Sequence, residues 1–488
     1  MLSLQEIKKF IDEDAVSTKK SRAAEGQRYY EAKHDILGYR LFYFNKDDKL
    51  VEDKYRANNR ICHPFFTELS DQLTSYMLSF EKNPIRAKEG VDGLQDHLDN
   101  YFDDEFWAEI AELLTGTYNK GFEYIYAFKN EANRLTFQCA DSLGIIEVRE
   151  KDTDDGCKYI IYWYIDRIAK DIKTVKKIQV WTEAEIHYFE QVDNGDIVID
   201  KDVEINPRPH VIGTDNETGQ KMGFPLGYMP FWRLDLNGKQ ISGLNPIKSL
   251  IDDYDLMQCG LSNNLTDFDT PLHVVKGYPG DDLDKLQKNL KTKKIVGVEA
   301  DGGIEVHTVD VPYQARQAKA ADDEKNIYRF GMGFNTAGLK DTAATTNLTI
   351  KAAYALLDLK ADKLEMRLRK LLKKDIIKVV LAEINQINDT AYQLSDIEIK
   401  FTRSILTNEK ENADIEKVKA DTEQVKVNTI LNVASAVGDE KTLKAICEVL
   451  DWDFNEIQSA IKKQQEAQST IAAQNALNNV VVDEPIEE

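Results

Sequence analysis

Residues Phe224 to Gly277 read F-P-L-G-Y-M-P-F-W-R-L-D-L-N-G-K-Q-I-S-G-L-N-P-I-K-S-L-I-D-D-Y-D-L-M-Q-C-G-L-S-N-N-L-T-D-F-D-T-P-L-H-V-V-K-G. An aromatic strand runs into a Gly/Asn/Pro turn, and a long amphipathic helix follows. Asn245 is placed to cap that helix and Pro246 suits its first turn, where a missing N–H costs nothing. Ile247, Leu250, Ile251, Tyr254, Met257, Leu261, Leu265 and Phe268 recur at helical spacing. The other face carries Asp252, Asp253, Asp255, Asp267 and Asp269. At about 1.5 Å per residue the helix is ~35–40 Å long. Pro271 stops it, and a short β-branched strand ends at Gly277.

Working outward, residues 1–35 have helical patterning, and Asn45 to Lys54 reads as a polar loop. Arg60 to Phe66 opens a helix that runs through Leu69, Leu73, Tyr76 and Met77, another helix covers 98–120, and the period changes to strands after Gly121. Phe122–Phe128 pairs with Arg134–Phe137 as a hairpin, and further strands fit 145–149, 158–164, 177–181, 185–191 and 196–200, with hairpin chemistry at Asp155-Gly156 and Asn194-Gly195. Leu272 to Val309 holds strands at Leu272–Lys276, Lys294–Val298 and Ile304–Thr308 and a short Leu/Lys helix. A small-residue helix spans Tyr313 to Met332, and the Gly/Thr/Ala-rich stretch 333–347 is a loop. The longest helix runs from Leu348 to Ile384, with Leu357, Ala361, Leu364, Leu368 and Leu371 at 4-3-4-3 spacing and a basic surface from Lys360 to Lys378. Asp396–Arg403 reads as a returning strand, 408–475 as all-helical and the acidic end, 476–488, as disordered. The fold class is therefore α+β, mainly helical.

The 488 residues carry a net charge of −22, which argues against tight wrapping of nucleic acid by displaced counterions, though not against its loose enclosure. No apolar run of membrane-spanning length occurs, and residues 1–9 lack a signal-peptide core. The five scattered cysteines suggest neither a disulfide framework nor a zinc site and fit a reducing cytoplasm. Asp152 to Gly156 fails the EF-hand pattern, because Lys151 stands where the first ligand belongs. Gly331-x-Gly333 followed by Gly338 is not a dinucleotide fingerprint, and no P-loop, H-E-x-x-H or G-x-S-x-G sequence is present. The seven histidines show no metal spacing, and His63 and His273 read as packed among apolar neighbours. No cofactor and no metal is expected.

The Pro-Leu-Gly…Pro-Phe block with its helix, together with Asn59-Arg60-Ile61, Lys120-Gly121-Phe122-Glu123-Tyr124 and the order of elements, resembles the portal proteins of tailed bacteriophages of the SPP1 type. The resemblance implies a wing over 1–241, stem helices over 242–270 and 312–332, and a clip over 271–311. It further implies a tunnel loop over 333–347, a long wing helix with return strand over 348–405, and a crown over 406–475. Such proteins form a dodecameric ring at one capsid vertex, in the virion. By that likeness the ring admits and releases double-stranded DNA and helps to initiate head assembly. Its expected partners are the terminase large subunit, a head-completion or adaptor protein, and the major capsid and scaffolding proteins, with no membrane involved.

On this likeness, Asn335, Thr336, Lys340 and Thr342 of the loop face DNA, with a ring of Lys340 side chains touching successive phosphates; a plainly solvated lysine is the alternative. Asp252, Asp253, Asp255 and Asp267 line the stem channel, or form an ordinary exposed helix face. Lys285, Lys288, Lys291, Lys293 and Lys294 of the clip contact motor and adaptor. The basic run of the long helix reads as ion pairing with the chain's excess of acid ahead of DNA binding. The competing functions are a metal-dependent nuclease or other packaging enzyme, betrayed by turnover, and a coiled-coil scaffold or adaptor, betrayed by a small elongated oligomer.

Overall fold

The computed structural model describes residues 1–54, 56–130, 133–149, 156–166, 173–214, 221–268, 272–276, 299–307, 313–335, 347–403, 409–434, 438–450, 452, 454 and 457–463. They form two compact units, one of Met1–Asp341 with Ala352–Ile405, the other of Thr342–Lys351 with Leu406–Glu488.

The first unit opens, within the stretch expected to be helical, with α1 (Leu4–Ala15) and α2 (Thr18–Tyr30). The break between them has a local cause: the Ser17 side chain accepts from the Lys20 N–H and caps α2. Asn45–Lys49 is the expected loop, but it connects a hairpin of β1 (Phe42–Phe44) and β2 (Leu50–Glu52), so Leu50–Glu52, expected as loop, is a strand. Then come α3 (Phe65–Met77), β3 (Ile85–Ala87), α4 (Leu94–Tyr101) and α5 (Asp104–Lys120). Asp103 caps α5 through the Phe106 N–H, which splits the single helix expected over 98–120. Gly121 ends α5 with φ +89°, a left-handed conformation that glycine adopts without steric cost.

β4 (Phe122–Lys129) and β5 (Leu135–Ala140) form the expected hairpin. A meander follows, β6 (Ile145–Val148), β7 (Tyr159–Asp166), β8 (Val175–Trp181), β9 (Glu185–Val192) and β10 (Ile197–Ile199), with β11 (Arg208–Pro209) also pairing with β9. β12 (Val211–Thr214) pairs with β13 (Lys221–Phe224). The aromatic strand of the opening block, β14 (Phe231–Asp235), joins β4 on the edge away from β5. Alternation along the meander puts Ile146, Ile161, Ile178, Val180, Phe189 and Ile197 against Ile7 and Ile11 of α1.

α6 (Lys248–Phe268) starts three residues after the expected cap; a turn precedes it, in which the Leu244 carbonyl accepts from Ile247 and Lys248. β15 (Leu272–Lys276) pairs with β16 (Gly303–His307), and α7 (Tyr313–Phe330) returns. The long helix is α8 (Asn347–Leu371), a π-helical turn (Leu372–Ile376) and α9 (Ile377–Asn388). β17 (Ile397–Ile399) pairs with β3 in a separate two-stranded ladder instead of joining the main sheet. The main core gathers Phe66, Leu69, Ile110, Ile251, Ile327, Leu364, Leu368, Ile376 and Val380. In the second unit α10 (Glu409–Asn432) precedes α11 (Asp439–Leu450).

Candidate functional site

α6 and α7 pack as a pair. Lys319 reaches back to Asp253 (2.6 Å), Arg316 donates to the Met257 carbonyl (3.5 Å), and Ile327 shares a core with Ile247 and Ile251. The contacts run in opposite chain order, so the helices are antiparallel. Lys319 also pairs with Asp323.

Along another side of α6 runs an extended segment, residues 57–63. The Ala57 N–H donates to Asp267 (2.8 Å), Asn59 to Asn263 (2.6 Å), Ile61 to Cys259 Sγ (3.2 Å) and His63 to Asp255 (2.9 Å). The acceptors are spaced by four on the helix and the donors by two along the segment. Four helical residues rise about 6.0 Å and two extended residues about 6.6 Å, so the two rows stay in register over the whole contact. The Asn59 side chain adds bonds to Ser262 (3.1 Å) and Thr266 (3.2 Å).

The inner end of this ladder is Asp255, whose side chain has no exposed surface. His34 Nδ1 lies 2.6 Å from Oδ2, and His63 Nδ1 lies 2.7 Å from Oδ1. Burial pushes the Asp255 carboxyl up, but the bonds from His34 and His63 together outweigh it and hold the group below the ordinary carboxylate value. His34 stacks on Tyr29 at 4.5 Å, and the Tyr29 hydroxyl donates to Asp252, which also takes Lys248 (2.7 Å). One constellation thus ties α2, the 57–63 segment and α6 together at the base of the helix pair.

This corrects the channel-lining expectation at Asp255: a carboxylate enclosed within its own chain has no face to give a channel. Asp267 holds a backbone N–H, Asp253 holds Lys319, and Asp252 holds Lys248 and Tyr29. His63 is likewise a hydrogen-bonded partner of Asp255, not merely a packed ring. Sequence reasoning missed His34 and the Asp255–Cys259–Asn263–Asp267 row. The i, i+4 run of side chains able to accept a hydrogen bond was the available signal.

Where α7 ends, the chain is clamped. Gln72 exchanges two hydrogen bonds with the Phe334 backbone (3.0 and 2.8 Å), and Phe334 stacks on Tyr354 at 4.4 Å. Asn335 donates to Glu324 (3.3 Å). Lys360 leaves the basic surface expected of it: its ammonium donates to the Gly331 carbonyl (2.9 Å) and sits over the Tyr118 ring, and burial pulls its pKa down to about 7. Thr336, Lys340 and Thr342, the clip residues Lys285, Lys288, Lys291, Lys293 and Lys294, and Asp152 to Asp155 lie outside the described residues.

Glu190, Asp200 and Asp202 bring carboxylates within 4.8 Å of one another, and Lys177 already answers all three, at 3.0, 2.9 and 3.4 Å. Among the described residues no helix is long and apolar enough to cross a membrane.

The class this defines is an α+β body bearing an antiparallel helix pair, with a two-stranded antiparallel ladder between the two helices in the chain. The family described as phage portal protein, SPP1 Gp6-like, matches residues 9–470, and the chain belongs to it. The portal protein of Bacillus phage SPP1 is 25% identical over 345 residues, 70% of this chain. That stretch spans 66% of the SPP1 protein's own length. The portal protein of Clostridium phage phiCD119 is 25% identical over 432 residues, 85% of this chain and 89% of the relative.

Proposed function

We propose that copies of this chain close into a ring at one vertex of a phage head, through which double-stranded DNA is packaged and ejected. The observation that carries this is the family match over 9–470, which runs from the first helix into the second unit. The ring is assigned to the dodecameric type. It docks the terminase large subunit and a head-completion or adaptor protein, and it meets the major capsid and scaffolding proteins during head assembly. The chain acts as a conduit and not as an enzyme; it is made in the host bacterial cytoplasm and ends in the virion.

In this reading α6 and α7 form the stem, and the paired strands β15 and β16 belong to the clip. The ladder to residues 57–63 supports the assignment by holding the stem's inner end to the body. Asp252, Asp253 and Asp267 stay candidates for the channel wall, as neutralised carboxylates instead of bare ones. Residues 333–347 are the loop that meets DNA, through Lys340 with Asn335, Thr336 and Thr342, and Lys285, Lys288, Lys291, Lys293 and Lys294 face motor and adaptor. Heads assembled with and without the chain, then supplied with terminase, ATP and DNA, test the function. Nuclease-protected DNA should appear only with the chain; equal protection without it overturns the reading.

A further inference from the structure

The long helix carries two stripes at the same 3.5-residue spacing. One is the buried row Leu357, Ala361, Leu364, Leu368 and Leu371. The other, about 150° around the helix at ~100° per residue, is Leu356, Leu359, Lys363, Met366, Lys370 and Lys373, all exposed. Leu356 is 41% exposed, Leu359 49% and Met366 66%, which is costly for side chains of this size to leave in water side by side. Among the described residues, Lys363, Lys370 and Lys373 make no ion pair within the chain.

A surface of the opposite character lies on α5. Glu105, Glu109 and Glu112 recur at i, i+4 and i+7, on one helix face. None of them is in an ion pair among the described residues, though Glu109 accepts from the Cys139 N–H (2.6 Å). Beside Glu105 and Glu109 opens a cavity of about 360 Å³ floored by Phe106, Phe128, Leu135 and Phe137. Its rim is acidic on balance, with Asp103, Glu105 and Glu109 against one cation, Arg134, which pairs with Asp103; with the aromatic floor it matches a methionine flanked by lysines, since thioether sulfur packs well against ring edges.

We propose that the stripe Leu356–Lys373 of one copy docks on the α5 face of a second copy, with Met366 seated in the Phe106/Phe137 cavity and Lys363 and Lys370 paired with Glu105, Glu109 or Glu112. This rests on the ring reading, and it names the contact that repeats. The two surfaces differ, so the contact is heterologous and propagates head to tail until it closes. The interleaved leucines and methionine favour a protein partner over a DNA backbone, which is gripped by cations without an apolar row.

Charge reversal tests this on the full chain. Lys363→Glu with Lys370→Glu is expected to abolish the ring seen by native mass spectrometry, while circular dichroism and the melting profile of the subunit stay unchanged. Adding Glu105→Lys with Glu112→Lys is expected to restore it. Rings that persist in the lysine variant overturn the docking contact while leaving the ring reading intact; so do rings that persist but lose DNA retention, which would place the stripe on DNA. Failure of the glutamate changes to rescue removes α5 as the counter-surface. A wild-type chain that forms no ring removes the underlying reading itself.

Discussion

Replacing Asp255 with alanine should loosen the attachment of the helix pair more than any other single change on α6. The carboxylate is fully buried and answers His34 Nδ1, His63 Nδ1 and the His63 N–H at 2.6, 2.7 and 2.9 Å. Hydrogen bonds to a charged group contribute roughly 1.5–3 kcal/mol each, and orphaning the partners of a buried charge costs about 3–5 kcal/mol in all. Asp253, two residues away, holds Lys319 at the surface, where loss of the pair costs under about 1 kcal/mol. The readout is amide hydrogen exchange in the peptide holding Ala57, Asn59, Ile61 and His63, whose N–H groups form the ladder. At about 1.4 kcal/mol per tenfold, the Asp255→Ala variant should exchange there some 10²–10³ times faster by local opening, and Asp253→Ala less than about tenfold faster. Equal acceleration in the two variants, or less than tenfold in Asp255→Ala, would refute the ladder as the anchor.

Further outcomes follow from the same geometry. Asp255 is held below its ordinary pKa, so its stabilisation is present above the unfolded carboxyl value near 3.9 and is lost as pH falls through the lower folded value; exchange of the 57–63 peptide, corrected for intrinsic rates, should rise below about pH 4, and a flat profile down to pH 2.5 would contradict this. Lys360 titrates near 7 when folded and higher when unfolded, so the folded state binds fewer protons between those values and stability rises with pH there. The wild type should gain up to about 2–3 kcal/mol from pH 7 to 9 relative to Lys360→Met, measured as urea midpoints, and parallel pH profiles would count against it. A Cβ at Gly26 would overlap the Asn119 carbonyl oxygen, so Gly26→Ala must push α2 off α5 and should cost about 1–3 kcal/mol; an unchanged midpoint would show that the two helices yield freely. Lys340→Ala should alter packaging rate or packaged length with rings intact, and unchanged packaging in vitro would remove its role.

Local patterning made most elements legible. The β4–β5 hairpin, the meander and the helix pair stand where two- and 3.6-residue periods put them. The helix break inside 98–120 was missed although Asp103 announces it, because a run of apolar periodicity hides a cap inside it. The β1–β2 hairpin was missed because Asn45 to Lys49 has loop composition, while its pairing rests on Phe42–Phe44 and Leu50–Glu52 on either side. The π-helical turn at Leu372–Ile376 leaves no mark on the leucine spacing before it. Asp255 was misread for a different reason. Spacing on one helix places a carboxylate on a face, but what covers that face is a segment 192 residues earlier, and only the match of a four-residue to a two-residue rise brings them together. Lys360 fell to the same limit: its neighbours Lys363 and Lys370 are exposed, and only tertiary contact puts its ammonium on the Gly331 carbonyl.

The central claim is that identical copies of this chain enclose a hole that passes a DNA duplex. Electron cryo-microscopy of the purified full chain, alone and after incubation with linear double-stranded DNA, measures this directly. The account predicts closed annuli in both samples, with duplex density along the axis in the second. Monomers or dimers in every image class, or closed rings whose aperture is narrower than a duplex in every state, would contradict it.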